Sequence, residues 1–151
     1  MKKNIFLLVI ILLSSNYVIS QNFGDSYNSV KLRVSNIISS VPNGNITCEY
    51  NIPGAEGVKI YGFDENGKLA SLITRHYLSD AEGETLYYGF YKKYNGMFGT
   101  ATIDNKREYC NDCPKLKSKW TKGSESIIVT YYSLNGESLV QTMYIKRKGT
   151  Y

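Results

Sequence analysis

One histidine, one tryptophan and three cysteines are all that these 151 residues offer to the chemistry such side chains usually perform. A closed zinc site needs four Cys or His ligands. His76, Cys48, Cys110 and Cys113 are too few and too scattered to suggest one, and no metal or cofactor is expected. The chain also lacks a phosphate-cradling glycine loop, a Ser-His-Asp set and an HExxH helix. Its 13 glycines fall at turns and segment ends. His76 shares a strand face with Leu72 and Leu78, with no nucleophile or acid to set beside it, and reads as a surface or half-buried packing residue. Asp64 and Glu65 are adjacent carboxylates at a hairpin tip. Glycosidase carboxylates flank a cleft at a set separation, so these two read as solvated turn residues.

Long apolar runs are equally scarce. The one clear run, Ile5 to Leu13, follows Lys2 and Lys3 and precedes Ser14-Ser15-Asn16. Nine residues fall short of the roughly 20 that a membrane span requires. A basic start, a short apolar centre, and Val18 and Ser20 at the −3 and −1 positions make residues 1–20 a secretory signal peptide cut before Gln21. No Cys stands at the cut for a lipid anchor. The expectation is an exported protein, periplasmic or secreted, that does not span the membrane after cleavage.

Charge of one sign is scarce too. The net charge of +5 falls to +3 once Lys2 and Lys3 leave with the leader. That does not supply the strong basic footprint of a nucleic-acid binder, so no nucleic acid is expected. The remaining 131 residues suit a single domain, 21–151, able to bury roughly two-thirds of its unfolded surface.

All three cysteines lie in the exported part, where disulfides persist. Cys110-Asn111-Asp112-Cys113 has the spacing of a redox CxxC, but Pro114 and the alternating lysines after it look like a strand. A reactive CxxC usually sits at a helix N-terminus. A structural bridge from Cys48 to Cys110 or Cys113 is the plainer expectation, and thiol–disulfide exchange the alternative; the pairing stays open. Asn45-Ile46-Thr47 is an N-glycosylation sequon, relevant only in a eukaryotic secretory route.

What the chain does have is order. From Gly24, the residues Tyr27, Val30, Val34, Ile37, Ile38 and Val41 recur at helical spacing, capped by Asp25 or Ser26 and ended by Pro42-Asn43-Gly44. Strands are expected over 46–51, 58–64 and 68–78, the last two joined through Asn66-Gly67 as a two-residue hairpin. Ser79-Asp80-Ala81-Glu82 is a capping box opening a helix from Asp80 to about Met97. A loop follows over about 100–114, then strands over 115–121, 126–133 and 138–148, with Asn135-Gly136 at the last turn. At an offset of 69 residues Val58 falls on Ile127, Ile60 on Val129 and Phe63 on Tyr132. The pattern reads as a helix–β–β–β unit used twice, about 24–78 and about 79–148, the loop being an insertion. The expected fold is α+β: one antiparallel sheet with two helices on one face.

Two surfaces suggest binding. Tyrosine is abundant, 14 residues. Tyr87, Tyr91, Tyr94 and Phe98 form a stripe on the second helix, beside Leu86, Phe90 and Met97. Tyrosine suits recognition because it covers area and keeps a polar tip; the plainer reading is core filling. Lys115, Lys117 and Lys119 alternate on one side of a strand, opposite Leu116 and Trp120. They either guard a sheet edge or draw an anionic glycan, lipid headgroup or acidic protein surface; edge protection is the plainer role. The order of elements resembles that of small periplasmic proteins built from a helix and a meander, including duplicated inhibitor-type proteins that bind enzymes through a sheet face. The resemblance is one of element order alone. The expectation is an exported, non-enzymatic binding protein whose partner is an envelope or extracellular protein or glycan, with thiol–disulfide exchange as the alternative.

Overall fold

A computed structural model describes residues 23–42, 44–106 and 114–146. Residues 1–20, expected as a signal peptide, and Cys110 and Cys113 lie outside the described residues.

Helix α1 is Tyr27–Arg33. Ser26 caps it, its hydroxyl accepting from the Ser29 amide at 3.3 Å. Arg33 in the last turn reaches back to Asp25. The expected helix stops eight residues early: Val34 turns extended and Asn36 adopts φ +53°. Ile37–Ser40 then runs as strand β1. Consecutive β-branched residues fit a strand better than a helix, so only the first half of the apolar stripe, Tyr27, Val30 and Val34, faces the core.

Strands β2 (Ile46–Glu49), β3 (Glu56–Phe63) and β4 (Leu69–Ser79) follow in antiparallel succession. The β3–β4 turn is longer than the two residues Asn-Gly suggests. The Asp64 carboxylate accepts from the amides of Asn66 and Lys68 at 2.9 and 3.0 Å, and only Gly67 takes positive φ. The true two-residue turn is Asn135-Gly136, with φ +54° and +85°.

Helix α2 is Asp80–Phe98, close to its expected bounds. Ser79 holds the cap position, but its hydroxyl donates to the Glu82 carboxylate at 2.6 Å instead of serving a backbone amide. The stretch expected as a loop contains strand β5, Ile103–Lys106. Strands β6 (Leu116–Lys122), β7 (Glu125–Leu134) and β8 (Glu137–Lys146) complete the chain.

The eight strands form one antiparallel sheet in the order β1-β2-β3-β4-β8-β7-β6-β5. The long strands β4 and β8 meet at its centre, where the Thr74 and Thr142 hydroxyls lie 2.5 Å apart. Six strands were expected; β1 and β5, four residues each at the two edges, are the additions. A register shift opposite Gly62 and Phe63 lets both Leu69 and Leu72 face the core. The 69-residue alignment fails on orientation. Ile60 pairs with Ile73 and Met143 on one side of the sheet, whereas Val129 pairs with Ser118 and Thr142 on the other.

Candidate functional site

Side chains alternate across a strand, so register assigns each to a face. Leu72, Thr74, His76 and Leu78 define the face that carries the helices. On it α2 lays Leu86, Tyr87, Phe90 and Tyr94 over Leu116, Trp120, Ile127, Val129, Tyr131 and Val140. Gly83 allows the close approach: a Cβ there would stand 2.7 Å from the Cβ of Ser138. A smaller cluster sets Val30 of α1 over Ile46, Cys48, Tyr61, Leu69 and Leu72.

The tyrosine stripe lies inside this layer. Tyr87 and Trp120 have no exposed surface. The Tyr87 hydroxyl bonds Ser118 at 2.7 Å, and the Trp120 indole N–H donates to Asn95 at 2.8 Å. Tyr94 is buried, stacked on Phe90 and tilted against Trp120, and burial raises its hydroxyl pKa. Tyr91 and Phe98 are half-buried against the same cluster. The helix's outward aromatic is Tyr88.

His76 is buried instead of half-exposed, at 1 %. It stacks on Phe90 with Tyr50 on its other side. Burial, and then the nearby Lys59 charge, push its pKa down to about 4. Its Nδ1 has no hydrogen-bond partner among the described residues. Lys59 extends over the Tyr50 ring, its Nζ 3.8 Å from the centroid, and burial lowers its pKa. On α2, burial likewise pushes Lys93 down to about 8. Among the described residues neither lysine has a carboxylate partner. Among the described residues Cys48 has no disulfide partner; it stands beside Lys59, with its pKa raised by burial. The expected bridge to Cys110 or Cys113 involves residues outside those described.

The opposite face carries no helix among the described residues. Five rows cross it: Gly62–Ser71–Ile145–Ser126–Thr121 at one end, Ser79–Glu137–Leu134 at the other, and three between them. Of these three, the first is Thr47–Ile60–Ile73–Met143–Ile128–Lys119, the second Glu49–Val58–Arg75–Gln141–Thr130–Lys117, and the third Glu56–Tyr77–Leu139–Tyr132. Their apolar members are half-buried, except Tyr77, which is half exposed. Arg75 lies along its row, its Nε donating to Gln141 Oε1 at 2.9 Å. Glu49, at one end, is exposed and accepts from Asn51 at 2.6 Å.

Lys117 and Lys119 project from this open face, while Leu116, Ser118 and Trp120 point to the core. The edge-protection role does not hold for them. β6 is an interior strand, paired with β7 on one side and with Ile103 and Lys106 of β5 on the other. Lys115 donates to Ser133 at 2.8 Å. Sequence reasoning passed over Ile60, Ile73, Ile128 and Met143. Their signal was there in strands apolar on both sides, such as Ile127-Ile128-Val129, a pattern typical of a sheet covered on both faces.

Among the described residues no helix is long and apolar enough to cross a membrane, and no cluster of three or more His, Cys, Asp or Glu is placed to hold a metal. Comparison of the chain with protein-family models, curated proteins and solved structures gave no match.

Proposed function

We propose that this chain is an exported, non-enzymatic interaction protein that docks a protein partner on the open face of its sheet. The observation that carries this reading is the row Ile60–Ile73–Met143–Ile128, an apolar band at the centre of a face that no helix covers among the described residues. A contiguous apolar band on a sheet face, rimmed by polar and charged side chains, is the kind of surface that marks interaction sites. Arg75 lies in the row beside the band and Tyr77 and Tyr132 in the row beyond it, and arginine and tyrosine are favoured at interfaces. The export step rests on residues 1–20, and sequencing the N-terminus of the secreted protein should find Gln21. A duplicated origin is part of the same proposal. It draws support from a helix followed by four strands occurring twice along the chain.

The test is a photo-reactive residue placed at Ile128, at Leu139 or at Tyr88 in cells that export the protein. Adducts from positions 128 and 139, and none from 88, are the expected result. Adducts from position 88 alone, or none at all, would overturn the reading.

A further inference from the structure

We infer that the occupant of the open face is a second copy of this chain, docked face to face about a two-fold axis running along the strands between β4 and β8. The inference rests on the reading of the open face given above and names its partner.

The argument is one of charge and register. The row Glu49–Val58–Arg75–Gln141–Thr130–Lys117 ends in an acid on β2 and a base on β6. These strands flank the β4–β8 junction symmetrically, each two strands beyond its central strand. A two-fold axis along the strands reverses the lateral order and keeps the height. It lays β6 of one copy over β2 of the other, so Glu49 meets the other copy's Lys117 at both ends of the row. The same operation sets Arg75 against Gln141, whose amide can accept from it.

The apolar row follows suit: Ile73 falls on Met143 and Ile60 on Ile128. In the third row Tyr77 falls on Leu139. An axis across the strands would instead put Lys117 on Lys117 and Glu49 on Glu49. Like charges face to face disfavour that arrangement, so the charges select the axis.

Dimensions agree. From β2 to β6 the face is about 24 Å wide, and its three middle rows with their margins cover about 20 Å, from spacings of ~4.8 Å between strands and ~6.6 Å between like-facing residues. Two copies then bury on the order of 1,000 Å² through these rows, the floor for a specific interface, so a dimer of modest affinity is expected. Sheets packed in this way lie about 10 Å apart with strands nearly aligned.

The test uses the full secreted chain in sedimentation velocity at low salt. The wild type should dimerise. Glu49→Lys and Lys117→Glu should each weaken the dimer at least about tenfold, because each sets like charges together at two places. The double variant restores opposite charges and should recover most of the affinity. Circular dichroism and the melting temperature of each variant establish that it folds. A carbodiimide cross-link joining Glu49 to Lys117 should appear in the dimer band; within one copy these residues stand five strand positions apart, about 24 Å, beyond reach of a direct amide bond. A wild type that stays monomeric at about 100 μM, or a double variant no better than the singles, would overturn the proposal. If that monomer still gives photo-adducts from Ile128 to a different protein, the open face is a docking site and only the second copy is wrong. If it gives none, both readings fail.

Discussion

The two faces of the sheet are built from the same strands, often from neighbouring residues, yet they do different work. On the helix side Trp120, Tyr87, Ile127 and Val129 are fully buried, and the hydroxyl of Tyr87 and the indole N–H of Trp120 have partners. On the open side Ile128, Ile73 and Met143 are just as apolar but only half-buried, with no helix over them among the described residues. An apolar side chain contributes to folding in proportion to the area it removes from water. The helix face therefore holds the fold together, while the open face keeps apolar area that a partner can still cover. The charged groups divide in the same way. Burial lowers the pKa of Lys59 and Lys93 on the helix side, while Glu49, Lys117 and Lys119 stand at the margins of the open side.

Four comparisons can break this contrast, taken from the largest effect to the smallest. Trp120→Ala should cost about 3–5 kcal/mol in urea unfolding, the range for a large aromatic removed from a core. Ile73→Ala on the open face should cost about 1 kcal/mol in the monomer. Equal losses at the two positions would mean that the open face is packed like the core.

Acid should act through His76. Its folded pKa of about 4 lies below the ordinary 6.5, so between these values the unfolded chain binds a proton that the folded chain does not. Stability should therefore fall as pH drops from about 6.5 to about 4 and level off below, a loss of roughly 3 kcal/mol from this group. His76→Gln should remove most of that slope in unfolding curves measured across the window. An unchanged slope would assign acid sensitivity to other groups.

Gly83→Ala should destabilise by about 1–3 kcal/mol, because its methyl meets Ser138 where α2 crosses the sheet. Gly83→Ala together with Ser138→Gly should regain part of the loss if the contact is the cause.

The smallest effect belongs to Lys117→Glu. It should leave monomer stability within about 0.5 kcal/mol, as surface changes do, while changing association. A large loss of monomer stability would show that Lys117 supports the fold itself.

Much of this architecture was legible in the sequence. Helix α2 announced itself by periodicity and by Ser79 and Glu82, and the long strands by alternation and Asn-Gly turns. The edge strands β1 and β5 did not. Ile37 and Ile38 continue the helical stripe of α1, and nothing local tells a reader that Asn36 will take a left-handed conformation and end it. At Ile103–Lys106 four mostly polar residues carry no strand pattern, and pairing with β6 makes the strand. The candidate site was hidden for a related reason. Hydropathy marks Ile128 and Val129 alike as apolar, and only the register and the placement of α2 decide which is covered. The tyrosine stripe drew the eye because tyrosine suits surfaces, but its spacing on α2 is also that of a buried face, and burial is where the structure places it.

Met143 and Met97 offer the most direct test of the contrast between the faces, since one lies in the middle of the open face and the other, 39 % exposed, on the outer side of α2. Mild peroxide oxidation of the protein, read by mass spectrometry with partner bound and after dissociation by dilution or by Ile73→Glu, compares them in one experiment. The account predicts that Met143 is protected in the bound state and oxidised on dissociation, while Met97 is oxidised equally in both. Equal oxidation of Met143 in both states, or protection of Met97 instead, would contradict it.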